Sequence, residues 1–240
     1  MYESRMANIN MYDQELTKKD IEQNKHREFV GGSWEEIGQL QANFMIKQGL
    51  KPFHKLADIG CGCLRGGIPF IQYLDVGKYY GLDLNHSLIE AGIHEIKANS
   101  LEGKQANLLV DDQFRLSKFK EKFDFMISIS VFTHLPFNVI VRCLTEVKRQ
   151  LAPEGVYFSS FFQAPLSANI ESITHQPGGV TTHYDLDPFH YSFEEISCMA
   201  SLSGLHVSLI GDWVFWSTDT GHFQLRQLVF DRRQVAIGGV

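Results

Sequence analysis

The chain has 240 residues, a formal net charge of −6 and an apolar content of 44%. That length fits one domain with at most an appendage, and the composition supplies a sizeable core. The acidic balance argues against a general nucleic-acid binder, which carries a basic face. No apolar run approaches the length of a membrane span, and the opening Met-Tyr-Glu-Ser-Arg lacks the apolar segment of a signal peptide.

Residues 1–29 are polar and charged, with a helical run over 13–29 and little to bury, so they read as a mobile arm. Ser33 with Glu36 three residues on has the form of a capping box. A helix then follows, with Trp34, Ile37, Leu40, Phe44 and Met45 near helical spacing; Gly49 closes it and Pro52 prevents continuation. Trp34 either lines a ligand pocket or packs the helix onto the core, and packing is the commoner fate of such a residue.

Strands and helices alternate from there. A strand over 55–59 runs into a glycine-rich turn, and a helix covers 66–74. A strand over 78–82 ends at Asp83, and Asn85 or Ser87 starts a helix through 98. A strand over 105–110 ends at Asp111-Asp112, and another spans 123–129. Pro136 sits in the first turn of a long helix to 151, a position proline tolerates. Pro153-Glu-Gly155 turns into a strand over 156–161. The pattern fails over 162–191, which holds prolines, Gly178-Gly179, three histidines and several aromatics. A long irregular loop inside a compact domain is usually functional or disordered. Ser192 caps a helix to 204 with Glu194 and Glu195 in its first turn, and strands over 205–210 and 222–230 end the chain. The alternation predicts a parallel, doubly wound α/β sheet.

The chemistry concentrates at Asp58-Ile-Gly-Cys-Gly62. Glycines at a strand's carboxyl end let the backbone turn sharply and a ligand approach closely. A dinucleotide fingerprint needs a third glycine where Arg65 stands. A pyrophosphate would also lie close to Asp58, which repels it, whereas a cationic or zwitterionic ligand is welcome there. Asp-Ile-Gly-Cys-Gly resembles the first motif of the class I S-adenosylmethionine (SAM)-dependent methyltransferases, with Leu64 in place of its last glycine; Gly66 and Gly67 are candidates to relieve the turn further on. The resemblance covers roughly residues 30–231. It implies a Rossmann-like seven-stranded sheet with an N-terminal helical lid and SAM as cofactor, in a methyltransferase domain over 30–240 preceded by the 1–29 arm.

Asp83 ends the second strand, 25 residues after Asp58. A carboxylate there can accept both hydroxyls of a ribose, which suits SAM or NAD alike; the plain alternative is a solvated strand-end Asp. The resemblance further implies that Asp58, Gly60 and Gly62 hold the methionine end of SAM, that Leu84 packs on adenine and that Asp111 or Asp112 accepts from the adenine amine. Register favours Asp111, although one of the two is a helix cap. Asp124 is placed as a structural residue. Ser128 and Ser130 fall near the strand's end, and Ser130 to His134 then face the reacting centre. The base-amine motif Asn/Asp-Pro-Pro-Tyr/Phe is missing.

His134 is the candidate base for a hydroxyl acceptor, against the plainer reading of a helix-entry His that only packs. Residues 162–191 fall where this family often places substrate-recognition insertions. His183, Tyr184, His190 and Tyr191 are the expected acceptor pocket, with His190 the rival base. His183, Asp185, Asp187 and His190 have the donor types for a metal, but loop carboxylates are more often solvated, and no metal is expected. Cys61, Cys63, Cys143 and Cys198 lack Cys-x-x-Cys spacing, so reduced thiols in a cytoplasmic protein are expected. The expected function is methyl transfer to a small-molecule hydroxyl, of a sugar or similar metabolite. The rivals are an NAD-dependent oxidoreductase and a non-catalytic SAM-binding module. Protein or RNA acceptors rank lower, and the oligomeric state is open.

Overall fold

The computed structural model describes residues 12, 14–176, 179–217 and 221–231. Residues 1–11 and 13 of the expected arm, Gly178 of the expected loop and the tail beyond 231 lie outside the described residues. The chain divides into two units, Met1–Ser128 and Ile129–Val240.

The first unit opens with two short helices, α1 (Lys18–Glu22) and α2 (Lys25–Phe29). The single run expected there is broken because Asn24 sits in the left-handed region at φ 58. Nor is this a polar arm with little to bury. Ile21 packs in a buried cluster with Cys63, Leu88 and Ala91, flanked by Leu16, Phe29, Val30 and Trp34. Trp34 therefore packs, and the Arg27 guanidinium lies over its ring at 4.9 Å. His26 is fully buried. Its Nε2 meets Glu95 Oε1 at 2.7 Å, and Arg27 donates to both Glu95 oxygens, from Nε at 2.7 Å and from Nη2 at 2.9 Å.

Helix α3 (Trp34–Lys47) lacks the expected capping box: Ser33 is left-handed at φ 42 and makes no side-chain cap bond. An N-cap needs extended backbone to aim its hydroxyl at the free amides. The helix buries Gly38, Gln41, Ala42 and Met45, whereas Leu40 of the expected stripe is exposed. Close approach selects that face, since a Cβ on Gly38 would collide with the Arg65 carbonyl.

Strand β1 (Leu56–Ile59), α4 (Gly67–Tyr73), β2 (Tyr79–Asp83), α5 (His86–Ala98), β3 (Asn107–Val110) and β4 (Phe123–Ser128) follow. The four strands are parallel in the order β3-β2-β1-β4. Every residue of β1 and β2 is buried, as expected of strands covered on both faces. The register pairs Ile59 with Leu82 and Leu82 with Leu109, so the carboxyl ends of β1, β2 and β3 lie side by side. Asn85 caps α5, accepting from the amides of Ser87 and Leu88. Asp124 accepts from the Lys55 amide at 2.9 Å, the structural role expected of it.

The second unit contains α6 (Phe137–Gln150), β5 (Leu151–Gln163), β6 (Ile173–His175), β7 (Val180–Thr182), β8 (His190–Tyr191), α7 (Phe193–Leu202), β9 (His206–Ser217) and β10 (Gly221–Asp231). Strand β10 pairs antiparallel with both β5 and β9, and β8 runs parallel to β5. The turn expected at 153–155 is instead the start of β5, where Pro153 and Gly155 precede the residues paired with β10, Tyr157 to Phe161. The 162–191 stretch is not structureless: β6 and β7 form a hairpin. Strands of two or three residues are too short to show a period. Ser192 and Glu195 form the capping box of α7. Phe132, Tyr157 and Phe230 pack edge-to-face or tilted in the core of this unit.

Candidate functional site

The glycine turn after β1 is built from left-handed backbone. Gly60, Gly62 and Leu64 have φ of 71, 52 and 71. Leu64, at the third-glycine position, keeps the glycine conformation without the glycine. Left-handed backbone costs a non-glycine residue about 1–2 kcal/mol. Burial compensates: the Leu64 side chain is fully enclosed. It fills the space left by Gly67 and Gly92, where an added Cβ would lie 2.7 Å and 2.8 Å from its side-chain carbons. Gly66 and Gly67 do not relieve the turn, because neither has positive φ; they give room to Gln41, Leu64 and Tyr79.

Asp83 ties the turn to the end of β2. Its Oδ2 accepts from the Gly62 amide at 2.8 Å and its Oδ1 from the Asn85 amide at 2.9 Å, while Gly60 donates to the Leu82 carbonyl at 2.7 Å. Burial raises the Asp83 carboxyl above the ordinary range, and the amides of Asn85, Gly62 and Leu84 work against that rise. Asp58 is also buried. Burial pushes its carboxyl up to about 7; the Tyr79 hydroxyl, donating at 2.7 Å, lowers it and nearby Asp83 adds to the rise. Among the described residues neither carboxylate has an ion-pair partner. Two buried carboxylates beside a backbone cradle, with no cation of the chain's own, suit a ligand that brings positive charge and hydroxyl donors. They oppose a pyrophosphate. Leu84, half-buried, follows Asp83 directly.

Asp111 does not fit the adenine role expected of it. Its Oδ1 accepts from the amides of Gln113 and Arg115, and its Oδ2 from Arg115 Nε and Lys118 Nζ, both at 2.7 Å. Four donors take up the carboxylate, so its function is to hold the 113–118 loop. Those donors hold its carboxyl down at about 2 despite burial, which on its own raises it. Asp112 is exposed.

In the second unit Ser130 follows β4 with left-handed backbone at φ 58. Its amide donates to Ser160 Oγ at 2.9 Å and its carbonyl accepts from Thr133 Oγ1 at 2.8 Å. His134 ends a 3-10 turn, Phe132–His134, and its Nδ1 lies 2.6 Å from Asp187 Oδ1.

The expected acceptor residues divide. His190 is buried with both ring nitrogens committed: Nδ1 meets Thr182 Oγ1 at 2.7 Å and Nε2 donates to the Asn169 carbonyl at 2.7 Å. It cannot serve as the rival base. Tyr191 is buried and donates its hydroxyl to the Leu135 carbonyl at 2.6 Å; burial raises that phenol, so it is a structural donor. His183 Nδ1 meets Ser172 Oγ at 2.9 Å, and Tyr184 is exposed. Among the described residues no group of side chains is arranged to hold a metal. Sequence reasoning missed Tyr79, Ser160 and the partnership of Asp187 with His134. Tyr79 carried a usable signal, an aromatic hydroxyl in register beside β1, whereas Asp187 lies 53 residues from its partner and had none.

Residues 56–155 match the model of a methyltransferase domain family. The mixed α/β fold with its mostly parallel central sheet is similar to that of solved S-adenosylmethionine-dependent methyltransferases. The magnesium protoporphyrin IX methyltransferase of Synechocystis PCC 6803, solved with bound SAM, is 16% identical at a TM-score of 0.58, covering 97% of this chain and 92% of that one. The CcbJ methyltransferase of Streptomyces caelestis is 12% identical at a TM-score of 0.63, covering 93% and 98%. A ribosomal protein L11 methyltransferase of Dictyoglomus thermophilum is 30% identical over 120 residues, 48% of this chain. The match spans about a third, 35%, of that relative's length. Among the described residues no helix is long and apolar enough to cross a membrane.

Proposed function

We propose that this chain transfers a methyl group from SAM to a hydroxyl of a small molecule, a sugar or similar metabolite, and works in the cytoplasm. The observation that carries the reading is the buried pair Asp58 and Asp83 beside the Gly60–Gly62 cradle, neither with an ion-pair partner among the described residues. Asp58 and the turn would hold the methionine end, Asp83 the ribose and Leu84 one adenine face. When bound, SAM supplies an electrophilic methyl group on a sulfonium. The chain's part is alignment and proton removal: His134 takes the acceptor's hydroxyl proton, with Ser130 shaping the turn before it and His183 and Tyr184 contacting the acceptor. The porphyrin enzyme among the fold neighbours agrees with a small acceptor, and four free thiols agree with a reducing compartment. A protein acceptor is the second reading, favoured only by the ribosomal-protein relative.

Thermal shift with S-adenosylhomocysteine and, separately, NAD tests the cofactor part. Ligand at about 100 times its Kd stabilises by about 2.7 kcal/mol, several degrees for a chain of this size. A shift with S-adenosylhomocysteine that Asp83→Ala abolishes supports the reading, and a shift with NAD alone overturns it. Release of S-adenosylhomocysteine across a panel of small hydroxyl compounds then identifies the acceptor. With it, His134→Ala lowers kcat by about 10²–10⁴ if His134 is the base, and activity within a few-fold of wild type removes that role.

A further inference from the structure

The segment after β7 splints the turn that carries His134. Three successive residues of the turn are each held by it. Thr133 accepts at its carbonyl from the Phe189 amide at 2.6 Å, His134 meets Asp187 at 2.6 Å, and Leu135 accepts from the Tyr191 hydroxyl at 2.6 Å. The splint is fixed from behind. The His183 amide donates to the Pro188 carbonyl at 2.8 Å. His190, between two of the staples, is locked through Thr182 and Asn169, and Thr182 also meets His175 Nε2 at 2.7 Å. The His134 and Asp187 side chains are only 14% and 5% exposed, so water competes little for their contact.

We propose that Asp187 is a positioning residue, which fixes the ring orientation and tautomer of His134 and so makes Nε2 its basic nitrogen. A carboxylate accepts and does not donate, so the ring proton on the Asp187 side sits on Nδ1. The lone pair of the neutral ring is then on Nε2. A His whose other nitrogen is held by a carboxylate is the recurring arrangement of an oriented base. In the step it serves, the acceptor's O–H bond breaks and an Nε2–H bond forms. The oxygen keeps the electron pair for its new bond to the methyl carbon, whose bond to sulfur would break with the bonding pair leaving on the thioether of S-adenosylhomocysteine, and the positive charge that appears on the imidazole faces Asp187. The residues expected to contact the acceptor, His190 and Tyr191, instead hold the frame in which this pair sits.

The proposal rests on the reading of His134 as base, yet its geometry is testable without an acceptor. Ring-¹⁵N spectra of the full chain labelled at histidine report which nitrogen carries the proton, with His134→Gln assigning the signals. Wild type is expected to show His134 protonated at Nδ1 and bare at Nε2 when neutral. Asp187→Ala should lose that preference, Asp187→Glu should restore it at least in part, and the stabilisation by S-adenosylhomocysteine should persist in both. A wild-type ring protonated at Nε2, or a spectrum unchanged in Asp187→Ala, overturns the proposal and leaves the cofactor reading untouched. Failure of wild type to bind S-adenosylhomocysteine overturns the cofactor reading and leaves the tautomer result standing. If Asp187→Ala unfolds, as backbone amide spectra would reveal, Asp187→Asn replaces it; retention of the wild-type ring signals in that variant refutes the requirement for a carboxylate.

Discussion

Leu64 and Gly92 share one space, and that predicts a reversal of sign. Truncating Leu64 to Ala removes a fully buried side chain and should cost about 3–5 kcal/mol, by analogy with other buried leucines. Gly92 lies inside α5, where Gly→Ala ordinarily gains about 1 kcal/mol of helix propensity. In the wild type that gain is cancelled, because the new Cβ would lie 2.8 Å from Leu64 Cγ and 3.1 Å from Cδ1. Overpacking of this kind costs about 1–3 kcal/mol, so Gly92→Ala alone should be neutral to destabilising. In the Leu64→Ala background both obstructing atoms are gone, and the next neighbour, the Cys63 carbonyl carbon at 3.6 Å, is an ordinary contact. There Gly92→Ala should stabilise by about 1–2 kcal/mol, from propensity and from refilling part of the void. Urea denaturation of the four proteins, followed by far-ultraviolet circular dichroism with the m-value checked for constancy, gives the cycle. A coupling of about 2 kcal/mol or more is expected; additivity within about 0.5 kcal/mol would mean that Leu64 does not occupy the space beside Gly92.

Three more outcomes follow from the carboxylates and caps. Asp58 is raised to about 7 in the folded chain, well above its unfolded value of about 4, so the folded state holds the extra proton and its stability falls as pH rises from about 4 to 7. A ligand ammonium group favours the ionised form, so S-adenosylhomocysteine, through its α-ammonium, should bind more weakly at pH 6 than at pH 8 and release a proton on binding; calorimetry in two buffers measures this, and an equal pH dependence in Asp58→Asn would contradict it. Asp111, held down at about 2, contributes stability that is present above about pH 4 and lost as pH falls towards 2. Asp111→Ala should therefore lower the midpoint at pH 7 by several degrees yet leave S-adenosylhomocysteine affinity within a few-fold, whereas a large affinity loss would reinstate it as the adenine partner. Ser192→Ala should cost about 1 kcal/mol as the loss of a working cap, while Ser33→Gly should stabilise by up to about 1 kcal/mol because φ 42 suits glycine; a loss at Ser33 equal to that at Ser192 would show that Ser33 caps after all.

Local chemistry wrote most of the fold into the sequence. Apolar runs gave β1, β2 and β4, Asn85 and Ser192 announced their helices, and the acidic strand ends marked the cradle at Asp58 and Asp83. What stayed hidden depends on partners far along the chain. Ser33 and Ser192 look alike in sequence, and only backbone geometry set by packing tells which one caps. Leu64 reads as a broken motif until its side chain is seen filling the space at Gly67 and Gly92. Asp111 and Asp83 are both strand-end acids, and they differ only in whether basic side chains come round to meet them. The 162–191 stretch concealed its order because buried polar bonds, such as the His190 contacts, hold it where longer elements would use apolar repeats.

The contact of His26 and Arg27 with Glu95 bears on where the chain can be cut. A fragment starting at residue 30 retains the glycine turn, every strand and all the candidate site residues, so by motif alone it is a complete catalytic domain. It would nevertheless leave Glu95, whose side chain is only 1% exposed, without the Arg27 guanidinium and the His26 ring that face it. Stripping the partners from a buried charge costs about 3–5 kcal/mol, a large share of the roughly 5–15 kcal/mol that holds a domain together. The same cut would uncover Cys63, Leu88 and Ala91. The shortest autonomous piece of this molecule therefore begins well upstream of its recognisable motif.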